Sequence, residues 1–149
     1  LLDAEIATLS EAGVKLNITA LMTARQCAPV IAALRPDRPA ILSIFAGRIA
    51  DTGVAPEPIL AQVREQIGAG RDIRLLWASA REVYNAVQAE AAGCDIITLT
   101  GDLLAKLPML GRGLDPLSLE TIAMFVDNGK AAGYSIDRDD RRRRRLSQC

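Results

Sequence analysis

Four short apolar runs, separated by longer stretches of helical spacing, constrain this chain more than any other feature. They occupy residues 14–20, 40–45, 73–78 and 95–99, with starts near 14, 40, 73 and 95. A strand, a helix and their turns need about 25 to 35 residues, so these spacings predict four successive βα units. The runs are apolar nearly throughout rather than alternating, which indicates a parallel sheet covered by helices.

The punctuation between the runs agrees. Residues 2–12 have helical spacing and end at Gly13, a suitable left-handed cap. Thr23 reads as the N-cap of a helix over 24–34 that Pro36 stops. A long loop through Gly47, Gly53 and Pro56 leads to a helix over about 57–69, and residues 81–92 form another, closed by Gly93. No glycine-rich phosphate fingerprint opens the first helix, which argues against a dinucleotide-binding fold. A flavodoxin-like open sheet and part of a (β/α)8 barrel both remain. Eight units need about 200 to 250 residues, and these 149 residues supply four. Barrel membership therefore means half a barrel.

Composition removes several function classes. Half of the residues are apolar, too many for a disordered body, yet no run reaches the roughly 18 apolar residues of a membrane span. Lysine plus arginine equals aspartate plus glutamate at 18 each, so net charge does not recruit nucleic acid or membrane. Residues 141–145 are all arginine, which leaves the preceding chain acidic. The segment 137–149 is expected to be a disordered basic tail, without the interleaved aromatics that specific nucleic-acid binding needs. The absence of histidine removes His-based triads, imidazole metal sites and histidine general bases. Cys27, Cys94 and Cys149 lie far apart with no metal spacing, so neither a metal, another cofactor nor a disulfide framework is expected. Residues 1–9 read as an acidic amphipathic helix rather than a signal peptide, which makes a reducing, cytoplasmic setting the default. The first residue is not Met, which hints at sequence upstream. Cys27 and Cys94 are expected to be buried, and Trp77 to sit in the core or barrel wall.

In parallel α/β folds the C-terminal ends of the strands carry the chemistry. Asn17 and Thr19, two residues apart near the end of the first run, share a strand face. Ser43 ends the second run and Arg48 follows it, while Ser79 and Arg81 close the third. Guanidinium groups at such a rim suit a phosphate dianion, because their planar fork makes paired charge-assisted hydrogen bonds. Hydroxyls and an amide suit a polyol, so the set points to a sugar phosphate. The plainer alternative is that Asn and Ser at strand ends are caps or turn residues and that loop arginines are solvated.

Several of these segments resemble transaldolases. Asn17-Ile18-Thr19 before an Ala-rich helix is similar to the family's fifth-strand N-x-T segment. Residues 43–51, Ser-Ile-Phe-Ala-Gly-Arg-Ile-Ala-Asp, resemble its long S-x-F-x-G-R-x-x-D segment. Ala78-Ser79-Ala80-Arg81 resembles the A-S-x-R that ends the seventh strand, and residues 92–99 resemble the A-G-x-x-x-x-T run into the eighth. Ser118-Leu119-Glu120-Thr121 and Phe125 are similar to the closing helix of some members.

The resemblance implies that residues 1–136 are strands 5–8 and their helices in a (β/α)8 barrel. It implies a class I aldolase of the pentose phosphate pathway, in which a lysine forms a Schiff base with a ketose phosphate and moves a dihydroxyacetone unit between sugar phosphates. Asn17 and Ser43 would bind donor hydroxyls, Thr19 would hold the water that shuttles protons, and Arg48 and Arg81, with Ser79, would hold the phosphate. It places the Schiff-base lysine on the fourth strand, upstream of Leu1, so this chain alone is expected to be inactive and to need the other half of the barrel or a homo-oligomer. Lys15 is the one lysine in a strand-like run, two residues before Asn17 and on the same face; it reads as structural, and Lys106 and Lys130 as solvated charges. Two other readings stay open: a non-catalytic sugar-phosphate-binding half barrel, and another phosphate-binding barrel aldolase.

Overall fold

A computed structural model describes residues 2–134, so the arginine run and the rest of the expected tail, 137–149, lie outside the described residues. The elements alternate as the apolar runs require: α1 (Leu2–Glu11), β1 (Leu16–Leu21), α2 (Ala24–Ala33), β2 (Ala40–Ile44), α3 (Ala46–Ala50), α4 (Glu57–Ile67), β3 (Ile73–Trp77), α5 (Asn85–Ala91), β4 (Ile96–Ile97), α6 (Gly101–Lys106) and α7 (Leu114–Ala131), with a 3-10 turn at Leu107–Met109. The chain divides into two compact units after Leu110.

All four strands are parallel and stand in chain order, β1-β2-β3-β4. A flavodoxin-like sheet interrupts chain order at its switch point, so consecutive order favours the barrel alternative. The two sheet faces differ as well. Leu42, Ile44, Leu75 and Trp77 are at most 1% exposed and pack with Cys27, Val30 and Ile31 of α2 and Leu60, Val63 and Ile67 of α4. Pairing of Asn17 with Ile41 and of Ser43 with Leu76 puts these residues on the other face. There Asn17 and Thr19 on the edge strand are exposed, while Ser43 and Leu76 further in are buried. A sheet that packs its core helices α2 and α4 on one side, with the exposed Asn17 and Thr19 on the other, matches a sector of a barrel wall rather than a doubly wound sandwich.

Local chemistry explains the boundaries. Thr23 caps α2 through a full capping box: the Gln26 N–H donates to Thr23 Oγ1 at 3.2 Å and the Thr23 N–H to Gln26 Oε1 at 3.0 Å. The C-terminal end of α2 is held by Arg71, whose Nη2 donates to the carbonyls of Ile31 and Leu34 at 2.8 and 2.7 Å. Arg64 of α4 donates to the Gly93 carbonyl at 2.8 Å and pairs with Asp95, which also accepts the Leu75 N–H at 2.7 Å. That network fixes where β4 begins beside β3.

Several boundaries differ from the sequence reading. Residues 46–50 are helical rather than loop, because the Phe45 carbonyl accepts N–H groups from both Arg48 and Ile49. The helix expected over 81–92 starts at Asn85, since the Asn85 side chain takes the N–H groups of Arg81 and Glu82 and holds them in a turn. β1 begins at Leu16 and runs to Leu21, so Lys15 stands ahead of it, exposed, and Asn17 lies one residue in rather than near its end. β4 keeps two residues of the five expected.

The second unit contains α7. Arg112, ahead of the helix, pairs with Glu120 in its second turn at 2.6 Å, and Thr121 bonds back to the Leu117 carbonyl at 2.7 Å. Leu119, Ile122 and Phe125 on α7 are exposed. Among the described residues, no helix is long and apolar enough to cross a membrane.

Candidate active site

Of the polar residues expected at the rim, the structure joins Asn17 and Ser43 directly. Ser43, 3% exposed, donates its hydroxyl to Asn17 Oδ1 at 2.7 Å across the β1–β2 pair. The Asn17 amide N–H groups stay available to a ligand on the open face. Thr19 is exposed one pleat further along, beside a register shift between Ile18 and Leu21, where Ala20 takes a positive φ of 65°. The shift adds one residue to β1 against β2 and re-aims the end of the strand.

The arginine-bearing segments interlock through backbone. Gly47 N–H donates to the Ala78 carbonyl at 3.2 Å, and Ala78 N–H donates to the Ile44 carbonyl at 2.8 Å. Ser79 sits at φ 62°, a left-handed conformation unusual for serine, and turns its carbonyl onto Gly47. A Cβ at position 47 would lie 1.6 Å from the Ser79 carbonyl oxygen. Only glycine admits this approach.

Arg81 and Arg48 are both exposed. Arg81 Nη2 pairs with Asp51 Oδ2 at 2.5 Å. Arg48 lies with its guanidinium carbon 4.8 Å from the centre of the Phe45 ring and borders a cleft of about 240 Å³ with Met22, Thr23, Ile49 and Thr52. Arg48 on α3 and Arg81 on the loop after β3 thus belong to neighbouring segments joined by the Gly47–Ser79 contact rather than to each other. Arg48 and Arg81 supply guanidinium donors of the kind an oxyanion takes, and Asp51 occupies one amino group of Arg81.

Behind Arg81 runs a polar chain the sequence reading did not single out. Asn85 Oδ1 accepts the Arg81 and Glu82 N–H groups at 2.7 and 3.1 Å, Asn85 Nδ2 donates to Gln88 Oε1 at 2.7 Å, and Gln88 Nε2 donates to Glu57 Oε1 at 2.5 Å. Asn85 is 7% exposed, so its partners fix its orientation. Asp51 and Gly47 were visible inside the 43–51 segment, but their roles depend on contacts about 30 residues away in sequence.

The remaining residues play quieter parts. The chain's three lysines, Lys15, Lys106 and Lys130, are all exposed. Cys27 is buried as expected, whereas Cys94, at the turn into β4, is only partly buried; desolvation pushes both thiols up to about 11, with Arg64 lowering and Asp95 raising the second. Trp77 is 1% exposed on the helix side of the sheet, in the core. No cluster of three or more Cys, Asp or Glu that could hold a metal occurs among the described residues.

Residues 4–140 match the family model described as transaldolase/fructose-6-phosphate aldolase. Two curated relatives are named probable transaldolases, both from Methanococcus maripaludis. The one from strain C5 is 31% identical over 111 residues, covering 72% of this chain and 50% of the relative. The one from strain S2 is 30% identical over 124 residues, covering 83% and 54%. The chain spans about half the length of these relatives.

Proposed function

For a chain that belongs to the transaldolase/fructose-6-phosphate aldolase family, we propose that the open sheet face and its rim form the sugar-phosphate side of a class I aldolase site. In this reading β1 to β4 are strands 5 to 8 of the barrel. The reaction moves a dihydroxyacetone unit between sugar phosphates, as in the pentose phosphate pathway. The observation that supports the proposal most is the backbone interlock of Gly47 with Ser79, which joins the Arg48 helix α3 to the loop of Arg81, while Ser43 at the end of β2 bonds Asn17 on β1.

Each group has a task its chemistry suits. Arg48 and Arg81 bind the phosphate, with the Ser79 hydroxyl as a further donor. Asn17 and Ser43 hydrogen-bond the hydroxyls of the donor sugar, and Ser43 already orients the Asn17 amide. Thr19, exposed beside them, holds the water through which protons move. The amine that attacks the ketose carbonyl comes from outside these residues. A Schiff-base lysine needs an amine deprotonated near neutral pH, which desolvation provides, and all three lysines here are exposed. By this reading the chain alone is inactive, and the other half of the barrel supplies the lysine and the opposite wall.

Borohydride trapping with fructose 6-phosphate, read by intact mass, tests the proposal on this chain and on a longer one extended upstream through a lysine-bearing strand. A reduced dihydroxyacetone adduct on the extended chain alone is the expected result. An adduct on the short chain would overturn the placement of the lysine. No adduct on either favours a binding module, which keeps the arginines and lacks the chemistry.

A further inference from the structure

The proposed clamp depends on Arg81, a long exposed side chain that solvent would leave free to sample many rotamers. Its backbone is held at one contact and its side chain at another, across a glycine that leaves the side chain room. Its N–H and that of Glu82 are held by the buried Asn85 amide oxygen. Its Nε passes over Gly47, 3.1 Å from where a Cβ would stand. Its Nη2 meets Asp51 Oδ2 at 2.5 Å. Asp51 is itself anchored, because it ends α3 and donates its N–H to the Gly47 carbonyl at 3.0 Å. The carboxylate therefore stands on the same helical turn as Arg48 and reaches across to the loop of Arg81.

We infer that Asp51 is a positioning residue of the anion site: by fixing one Arg81 amino group to the end of α3, which carries Arg48, it sets the remaining Arg81 N–H groups and makes α3 and the Arg81 loop a single phosphate clamp. The inference rests on the sugar-phosphate reading and deepens it. A bare carboxylate beside an anion site repels the anion, and the alternative role for Asp51 is that of a competitor the phosphate must displace. The two roles predict opposite signs when the charge is removed. As a positioner, Asp51 lowers the ordering that phosphate must impose on Arg81, and its loss weakens binding by about three- to tenfold. As a competitor, its loss tightens binding.

The experiment is a calorimetric titration of inorganic phosphate into the protein expressed from its own gene, as the unaltered form and as Asp51→Asn, Asp51→Glu and Arg81→Ala. Urea midpoints establish that each variant is folded. The expected result is strong weakening in Arg81→Ala, about three- to tenfold weakening in Asp51→Asn, and partial recovery in Asp51→Glu, which keeps the carboxylate. A loss of general structure would not be rescued by glutamate, and would appear in the urea midpoint. Weakening by Arg81→Ala with unchanged or tighter binding in Asp51→Asn overturns the role of Asp51 and leaves the anion site standing. Phosphate binding indifferent to Arg81→Ala, or absent from the unaltered protein, overturns the anion site and the role of Asp51 with it.

Discussion

Replacing Gly47 by alanine adds one methyl group where the chain crosses itself. The new Cβ would lie 1.6 Å from the Ser79 carbonyl oxygen and 2.7 Å from its carbon. Carbon and oxygen must separate by a further 1.5 to 2 Å, roughly, before they reach ordinary van der Waals contact. Both colliding atoms are backbone, and neither is free to yield. Ser79 already sits in a left-handed conformation, and Ala78 beside it is bonded to the Ile44 carbonyl. Overpacking of this kind costs about 1 to 3 kcal/mol. The displacement also breaks the Gly47 to Ala78 hydrogen bond, a further 0.5 to 1.5 kcal/mol or so. Gly47→Ala should therefore lose about 2 to 4 kcal/mol, a large part of the stability of a domain this size. Urea unfolding followed by far-UV circular dichroism should show a midpoint lower by about 1 to 2 M at an ordinary slope. Gly101→Ala is the matched control, since nothing lies within 4 Å of its Cβ and the residue begins α6; it should be neutral or slightly stabilising. A Gly47→Ala midpoint within about 0.3 M of the unaltered protein would show that α3 and the loop of Ser79 are not interlocked.

Two further outcomes follow from titratable groups on α2 and at the turn before β4. Burial acts to raise the Asp95 carboxyl, but the Arg64 hydrogen bond, the Leu75 N–H and the charges of Arg64 and Arg74 together hold it below its usual value. Its contribution is present above the unfolded carboxylate value of about 3.9 and is lost as pH falls through the depressed folded value. Asp95→Asn should therefore flatten the acid side of the stability curve below about pH 4, and parallel acid limbs in the two proteins would refute the link. Cys27 and Cys94, with thiols pushed up to about 11, should carry roughly a hundredfold less thiolate at pH 8 than an ordinary cysteine. Alkylation followed by peptide mapping should find both labelled slowly until urea is added; rapid native labelling of Cys27 would contradict its burial.

Much of this molecule is legible in one dimension because its determinants are local. The strands announce themselves as apolar runs, and Thr23 with Gln26 spells out a capping box within four residues. The 43–51 segment carries its family resemblance in adjacent letters. What stayed hidden depends on partners distant in sequence. The helix at 46–50 forms where glycine and a following loop suggest none, and α5 starts late because a side chain inside it captures the N–H groups before it. Asp51 and Asn85 are ordinary surface or helix residues until the third dimension sets them against Arg81.

The sequence by itself determined that the chain is built of βα units and that these 149 residues carry no histidine chemistry, and it put hydroxyls and two arginines near strand ends, while Asn17 proved to lie near the start of β1. Spacing and residue chemistry suffice for that, since each follows from a few neighbouring positions. Only the tertiary structure decided the strand order, which face of the sheet stays open, and which side chains meet. Strand order separates a barrel sector from a doubly wound sheet, yet both present the same alternation along the chain. The Gly47–Ser79 crossing and the Asp51–Arg81 pair each close across about 30 residues, and their energy exists only once β2 and β3 lie side by side.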